Sequence, residues 1–271
     1  MQAWAPGSVT ALFAPPDAPG GGVSFATEDG VTATVEPATE SRVLLDGEPT
    51  DFEPVELAVE RLGIDASVEL DAEVPLGCGF GSSGAATLAT VLAAGAEWDL
   101  YLGRDRLVEV AAEAERRANT GVSDVYVQEM GGLAWDLGDA RKRTDRTDEV
   151  AYATFGDIET GSVLGDESAM ARVGTAAERG FAAFDPEAPL SDIFEVGWSF
   201  AEDTGLVTPR VRRAVETVRE KGGAATMAMV GETVIAVGTD GTVRGDGPAD
   251  PFDGATASGR TRISPEGAHL L

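Results

Sequence analysis

The stretch Pro75-Leu-Gly-Cys-Gly-Phe-Gly-Ser-Ser-Gly84 holds four glycines and two serines in ten residues. Glycine lets backbone N–H groups come close to an anion, and a helix beginning near Ser83 would aim the positive end of its dipole at the same place. Ser82 and Ser83 could then donate to a phosphate or join a magnesium shell. Three other readings fit less well. A phosphate-binding P-loop ends in Gly-Lys-Ser/Thr, and no lysine stands near; the only two lysines are Lys142 and Lys221. Gly79-x-Gly81-x-x-Gly84 matches a dinucleotide fingerprint, but the acidic residue about 20 positions on, Asp99, ends the same helical run instead of closing a second strand. A serine-hydrolase elbow fails on spacing, and the only histidine, His269, is third from the end of the chain. A plain glycine-rich turn is the remaining alternative.

The flanking elements fit a cradle held between a strand and a helix. Val68–Glu73 alternates apolar and acidic residues, as a half-buried strand does. Ala85–Glu97 is alanine-rich and strongly helix-forming. A second helix covers about Asp105–Ala118, with Leu107, Val110, Ala111, Ala114 and Ala118 on one face. Strands are expected at Val9–Ala14, Val31–Glu36, Arg42–Asp46 and Glu149–Phe155. Pro54 opens a helix that Gly63 ends, and helical patterns cover roughly 166–180, 190–203 and 209–220, the last capped by Thr208 before Pro209. Asn119–Asp124 reads as a loop, Gly131–Asp136 as a strand entry, and 138–149 as a charged connector. Gly222–Gly231 and Glu232–Val237 read as a glycine turn and a hairpin. Strands and helices mixed without strict alternation point to an α+β fold.

With 271 residues, 43 % of them hydrophobic, the chain can bury a real core. Its single cysteine, Cys78, rules out an internal disulfide and a cysteine-based zinc site. The N-terminus does not read as a signal peptide and no run is long enough to span a membrane, so a cytoplasmic protein without membrane partners is expected. Asp plus Glu number 47 against 20 Lys plus Arg, a formal charge of −27. Such self-repulsion is expected of a cytosolic halophilic protein, since molar salt screens it within about 3 Å. It also argues against nucleic acid as a partner, which needs basic groups against phosphates.

The loop and its continuation, PLGCGFGSSGA, resemble the PxxxGLGSSAA nucleotide loop of the GHMP kinase superfamily, whose members phosphorylate small hydroxylated metabolites. Phe80 stands for the usual Leu and Gly84 for the first Ala. Ala5-Pro6-Gly7-Ser8 resembles the family's N-terminal strand-turn, and Lys221–Met229 occupies the place of the glycine-rich segment that closes over the phosphates. Asn119-Thr-Gly-Val-Ser-Asp124 resembles the loop ending in an aspartate beside the acceptor hydroxyl. Glu115, nine positions earlier, stands where the family has a metal-binding glutamate. Helical geometry separates it from its rival Glu113. At 100° per residue, Glu115 lies roughly 80° from the centre of the apolar stripe and Glu113 roughly 120° on the other side, so Glu115 should point inward.

Within the superfamily the archaeal pantoate kinase branch is most similar, through APGSVTALFA, the Ala111–Glu115 helix segment and Gly223–Val234. Two departures concern the acceptor side. Ala112 stands where the branch often has histidine, and Gly20–Ser24 only loosely matches its Gly-Ser-x-Gly-Ala-Gly segment. The resemblance implies a two-domain GHMP kinase fold, with residues 1–148 like the second domain of ribosomal protein S5 and 149–271 ferredoxin-like. It implies ATP held by Pro75, Gly77, Gly79, Gly81, Ser82, Ser83 and Gly84, and Mg2+ held by Glu115 and Ser83, with Ser82 the alternative hydroxyl. Asp124, Glu115 and Ser83 become the catalytic candidates, and Ser8, Ser24 and Ser123 the contacts of a small-molecule substrate, pantoate or a similar hydroxy acid. The branch also implies a homodimer. Arg116, Arg117 and Arg141 are candidates to meet an acceptor carboxylate, with surface ion pairing the expectation for each. A kinase for another metabolite, a related ATP-using decarboxylase and a non-catalytic nucleotide-binding relative are the alternatives.

Overall fold

A computed structural model of the chain describes residues 1–15, 18–120, 122–156, 166–238 and 252–271. The first of its two sheets grows from a long antiparallel hairpin, β1 (Gln2–Phe13) and β2 (Gly22–Pro37). Beyond β2 lies β5 (Ala66–Ala72), antiparallel to it, and then β3 (Arg42–Leu45), parallel to β5. The crossover from β3 to β5 runs through the short β4 (Glu48–Pro49) and helix α1 (Glu53–Leu62). β6 (Leu133–Asp136) adds to the far end of β2, and β7 (Lys142–Thr144) pairs with β6. In β5 the expected alternation is present: Val68 and Leu70 are buried while Glu69 and Asp71 are exposed.

Helix α2 (Ser82–Glu97) lies against β1 and β2 and is covered in turn by α3 (Arg104–Arg117) and α4 (Val122–Met130). From Gly84 to Gly95 every residue of α2 is buried. Alanine makes this workable, because small side chains let the neighbours approach from all sides at little entropic cost.

The second sheet has β8 (Glu149–Thr154), β9 (Gly223–Ala228), β10 (Thr233–Gly238) and β11 (Ala257–Arg262), all antiparallel in the order β11-β8-β10-β9. In order of appearance these are strands four, one, three and two, the ferredoxin-like arrangement. Three helices accompany it: α5 (Glu167–Ala183), α6 (Leu190–Thr204) and α7 (Pro209–Glu220). Thr208 caps α7 by accepting from the Val211 N–H, with Pro209 at the first position, as its sequence requires. The two sheets share one core through α6, which packs on β9 and β10 while its Phe194 stacks on Phe25 of β2 and its Phe200 meets Phe13 of β1 edge-on. The last strand, β12 (His269–Leu270), returns to the first sheet and pairs with β1.

The structure departs from the sequence reading in three places that matter to the site. Ala5–Ser8 is not a turn: β1 runs straight through it, with a bulge between Pro6 and Gly7. The segment 119–124 is a loop only in part, since Val122 already begins α4. Gly223–Ala228 is strand, not glycine turn, and the 75–81 loop is met by Ala228, Gly231 and Thr233, at and beside the connection between β9 and β10.

Exposed pairs such as Arg61–Glu113 and Arg117–Glu60 each contribute at most about 1 kcal/mol, too little to offset the repulsion of a −27 surface. Raising KCl from about 0.1 M to about 1 M shortens the screening length from about 10 Å to about 3 Å. The thermal unfolding midpoint should therefore rise over that range, and a fall would show that ion-pair attraction outweighs the repulsion.

Candidate active site

Pro75–Gly81 is an irregular loop leading from β5 into α2. Among the described helices, α2 alone has a first turn with neither a side-chain cap nor an acidic residue. In a chain with 47 acidic residues that exception leaves free N–H groups and a positive dipole end facing the loop. The glycines serve the protein's own packing as well. Gly81 caps α2 in the left-handed region at φ 58°, and a Cβ there would lie 2.1 Å from Ser8 Oγ and 3.1 Å from Asp124 Cγ. Phe80, fully buried, meets Tyr152 of β8 edge-on, and the Cys78 carbonyl accepts from Thr233 Oγ1 at 2.7 Å. The loop is thus clamped between both sheets.

Glu115 projects from α3 into the protein and is completely buried. Among the described residues no cation contacts it; its carboxylate accepts from three hydroxyls, Ser83 at 2.9 Å, Thr87 at 2.7 Å and Thr120. Burial pushes its carboxyl above the ordinary range, and the three hydroxyl bonds oppose that rise. Glu113 points outward and pairs with Arg106 and Arg61, which hold it below that range. A buried carboxylate beside a serine hydroxyl at an uncapped helix end supplies hard oxygen donors, which suit Mg2+ completed by phosphate oxygens. No group of three or more acidic, histidine or cysteine side chains able to hold a metal alone occurs among the described residues.

Asp124 stands in the first turn of α4, and Ser8 Oγ on β1 donates to its Oδ1 at 2.9 Å. Burial raises its carboxyl to about 7, with the Glu115 charge adding to the rise and the Ser8 bond opposing it. Because the folded-state value is the higher one, neutral Asp124 stabilises the fold below about pH 4. That contribution is lost as pH climbs through about 7.

Two residues along β1 from Ser8, on the same face and about 7 Å away, Thr10 begins a pocket. Thr10 Oγ1 and Ser24 Oγ are bonded at 2.8 Å in its wall. Ser123 and Tyr126 come from α4, and Trp135 from β6. Arg141 closes the rim, its guanidinium 3.5 Å from the centre of the Tyr126 ring. The structure thus departs from the expected surface pairing of Arg141: it has no ion pair among the described residues and faces the pocket. Arg117 does pair at the surface, with Glu60, and Arg116 is exposed.

Ser82, Ser83, Gly84, Glu115 and Asp124 therefore gather around the 75–81 loop, which holds Pro75, Gly77, Gly79 and Gly81. Ser8 joins them through Asp124, while Ser24 and Ser123 line the adjoining pocket. Gly121 of the 119–124 motif lies outside the described residues. Thr87, Thr120, Gln128 and Tyr126 escape a reading of the sequence. For the last two, α4 was the missing signal: once 122–130 is helical, Gln128 falls one turn from Asp124 on the same face.

Residues 53–132 match the family described as GHMP kinases N terminal domain. The chain is 27 % identical to the pantoate kinase of Methanospirillum hungatei over 258 residues, spanning 88 % of this chain and 87 % of that one. It is 24 % identical to the mevalonate kinase of Archaeoglobus fulgidus over 183 residues, 61 % and 64 % of the two chains. Among solved structures, a phosphotransferase related to the CoA biosynthesis pathway superposes with a TM-score of 0.79 at 20 % identity, covering 100 % of this chain and 98 % of that one. A homoserine kinase from Cytophaga hutchinsonii superposes with a TM-score of 0.71 at 17 % identity, covering 100 % and 97 %. Residues 53–132 thus match a GHMP kinase N-terminal domain, and the chain has the two-domain fold of the solved GHMP kinases. It is a kinase that phosphorylates a hydroxyl group; GHMP kinases in general use ATP with a divalent metal.

Gly81→Ala should destabilise the fold by about 2 kcal/mol or more, because strained backbone and overpacking each cost about 1–3 kcal/mol. Gly47→Ala is the control: its φ of 83° is also positive, but nothing lies within 4 Å of the added methyl. Equal losses in urea unfolding would show that the Ser8 contact carries no weight. Asp124→Asn should gain stability over wild type as pH rises from about 4 to 8; a pH-independent difference would contradict the raised Asp124 value.

Proposed function

We propose that this kinase transfers the γ-phosphoryl group of ATP to the hydroxyl of pantoate, giving 4-phosphopantoate for coenzyme A synthesis. The observation that carries the acceptor is Arg141, a cation without an ion pair among the described residues, laid on Tyr126 at the rim of a pocket walled by the Thr10–Ser24 hydroxyl pair. A small acid with hydroxyl groups finds there a partner for its carboxylate and partners for its hydroxyls. The match to a pantoate kinase along most of both chains supports the same reading.

In this mechanism the 75–84 loop and the uncapped start of α2 receive the phosphates. Glu115 and Ser83 would hold Mg2+, which when bound offsets charge on the transferring phosphoryl group. The pocket places the acceptor hydroxyl toward Asp124, and Asp124 accepts its proton as the new P–O bond forms. Ser8 keeps that carboxylate oriented.

Pantoate, mevalonate, homoserine and shikimate offered separately with ATP and Mg2+ in molar KCl should show ADP release with pantoate far above the others. Preference for another acceptor would overturn the assignment. Asp124→Asn and Glu115→Gln should each lower turnover by about 10²-fold or more. Arg141→Ala should raise KM for pantoate about 10- to 100-fold, the loss of a charged hydrogen bond. In wild type, kcat/KM should fall on the acid side with an apparent pKa of about 7, as Asp124 protonates in the free enzyme. A rate flat from pH 8 down to about 5 would remove Asp124 from the base role.

A further inference from the structure

Gln128 is wholly buried on α4, one helical turn beyond Asp124, and the mechanism leaves it without a task. Its Nε2 donates to the Gly81 carbonyl at 2.7 Å and to Ser8 Oγ at 3.3 Å. The orientation of the amide follows from chemistry, since a carbonyl can only accept and the atom beside Gly81 O must carry hydrogen. Oε1 is left with no hydrogen-bond partner among the described residues, turned toward Gly84, where an added Cβ would lie 2.7 Å away. Burying an amide with half its capacity unused costs stability, so an apolar side chain would serve a purely structural role better.

What the amide does to Ser8 is specific. An amide N–H has no lone pair to offer, so the Ser8 hydroxyl cannot donate back to Gln128. Its one proton is left for Asp124 Oδ1, at 2.9 Å. Without Gln128 the same hydroxyl could rotate toward the vacated Gly81 carbonyl. We propose that Gln128 is a positioning residue, whose amide fixes the Ser8 hydroxyl as a donor to Asp124 and ties that pair to the nucleotide loop at Gly81. It touches neither the acceptor pocket nor the reacting atoms, and acts through Ser8.

The kinetic test rests on the pantoate reading; a second test does not. Gln128→Met keeps the length and removes both bonds. It should lower kcat with pantoate roughly 5- to 10-fold, the worth of about one hydrogen bond, and leave KM for pantoate within about twofold. A merely structural role would move KM as well, because Ser123 and Tyr126 of the pocket share α4. In a Ser8→Ala background, Gln128→Met should cost nothing further, since the two act as one unit.

Independently of any acceptor, 13C NMR of the Asp124 carboxyl, assigned with Asp124→Asn, should titrate higher in Gln128→Met and in Ser8→Ala alike. Glu115 is the other charged group that acts on Asp124, and it is unchanged in both variants. Should the Met variant fail to fold, Gln128→Asn, which retracts the amide from Ser8, must show the same shift. Absence of turnover with pantoate alongside the NMR shift would sink the substrate assignment and leave Gln128 in its role. An unmoved Asp124 titration, additive losses with Ser8→Ala, or kcat and KM rising and falling together would overturn the positioning role.

Discussion

A carboxylate fully withdrawn from water, with no cation beside it among the described residues, governs the architecture around the site. Ionised Glu115 in such a place is costly unless hydrogen bonds or a metal compensate it. Three hydroxyls from two segments do part of that: Ser83 and Thr87 from the first turns of α2, and Thr120 from just beyond α3. Their convergence requires α2 and α3 to lie close, which the alanine- and glycine-rich surface of α2 permits. Helix contact and site chemistry are thus one constraint.

The same economy explains the loop. One of its glycines, Gly81, is pressed against the protein itself, meeting Ser8, Gln128 and Asp124. A loop pressed against its own catalytic candidates has little freedom to drift, so its N–H groups are arranged before any ligand arrives. Preorganisation of this kind is what electrostatic catalysis of phosphoryl transfer depends on. The second sheet contributes by pinning the other side of the loop, through Phe80 on Tyr152 and Thr233 on the Cys78 carbonyl.

Features carried by local pattern were readable in the sequence. The alternation of β5, the cap and proline of α7 and the inward face of α3 that carries Glu115 all follow from periodicities of two or 3.6 residues. Features set by contacts distant in sequence were not. Val122–Met130 mixes β-branched residues with polar ones and shows no clean period, so its helix is decided by packing on α2 and α3. With that helix unseen, Gln128 and Tyr126 had no address. Arg141 looked like any surface arginine because its partner is an aromatic face 15 positions earlier. The last strand, two residues long, pairs with β1 only because the chain returns across the end of α4. No local signal encodes that return.

The central claim is that the hydroxyl of a small acid, and not water, takes the phosphoryl group at this site. 31P NMR of a reaction containing the protein, ATP, Mg2+ and pantoate in molar KCl separates these outcomes directly. The account predicts a new phosphomonoester resonance growing in step with ADP. ADP accompanied only by inorganic phosphate, or no ADP at all, would contradict it.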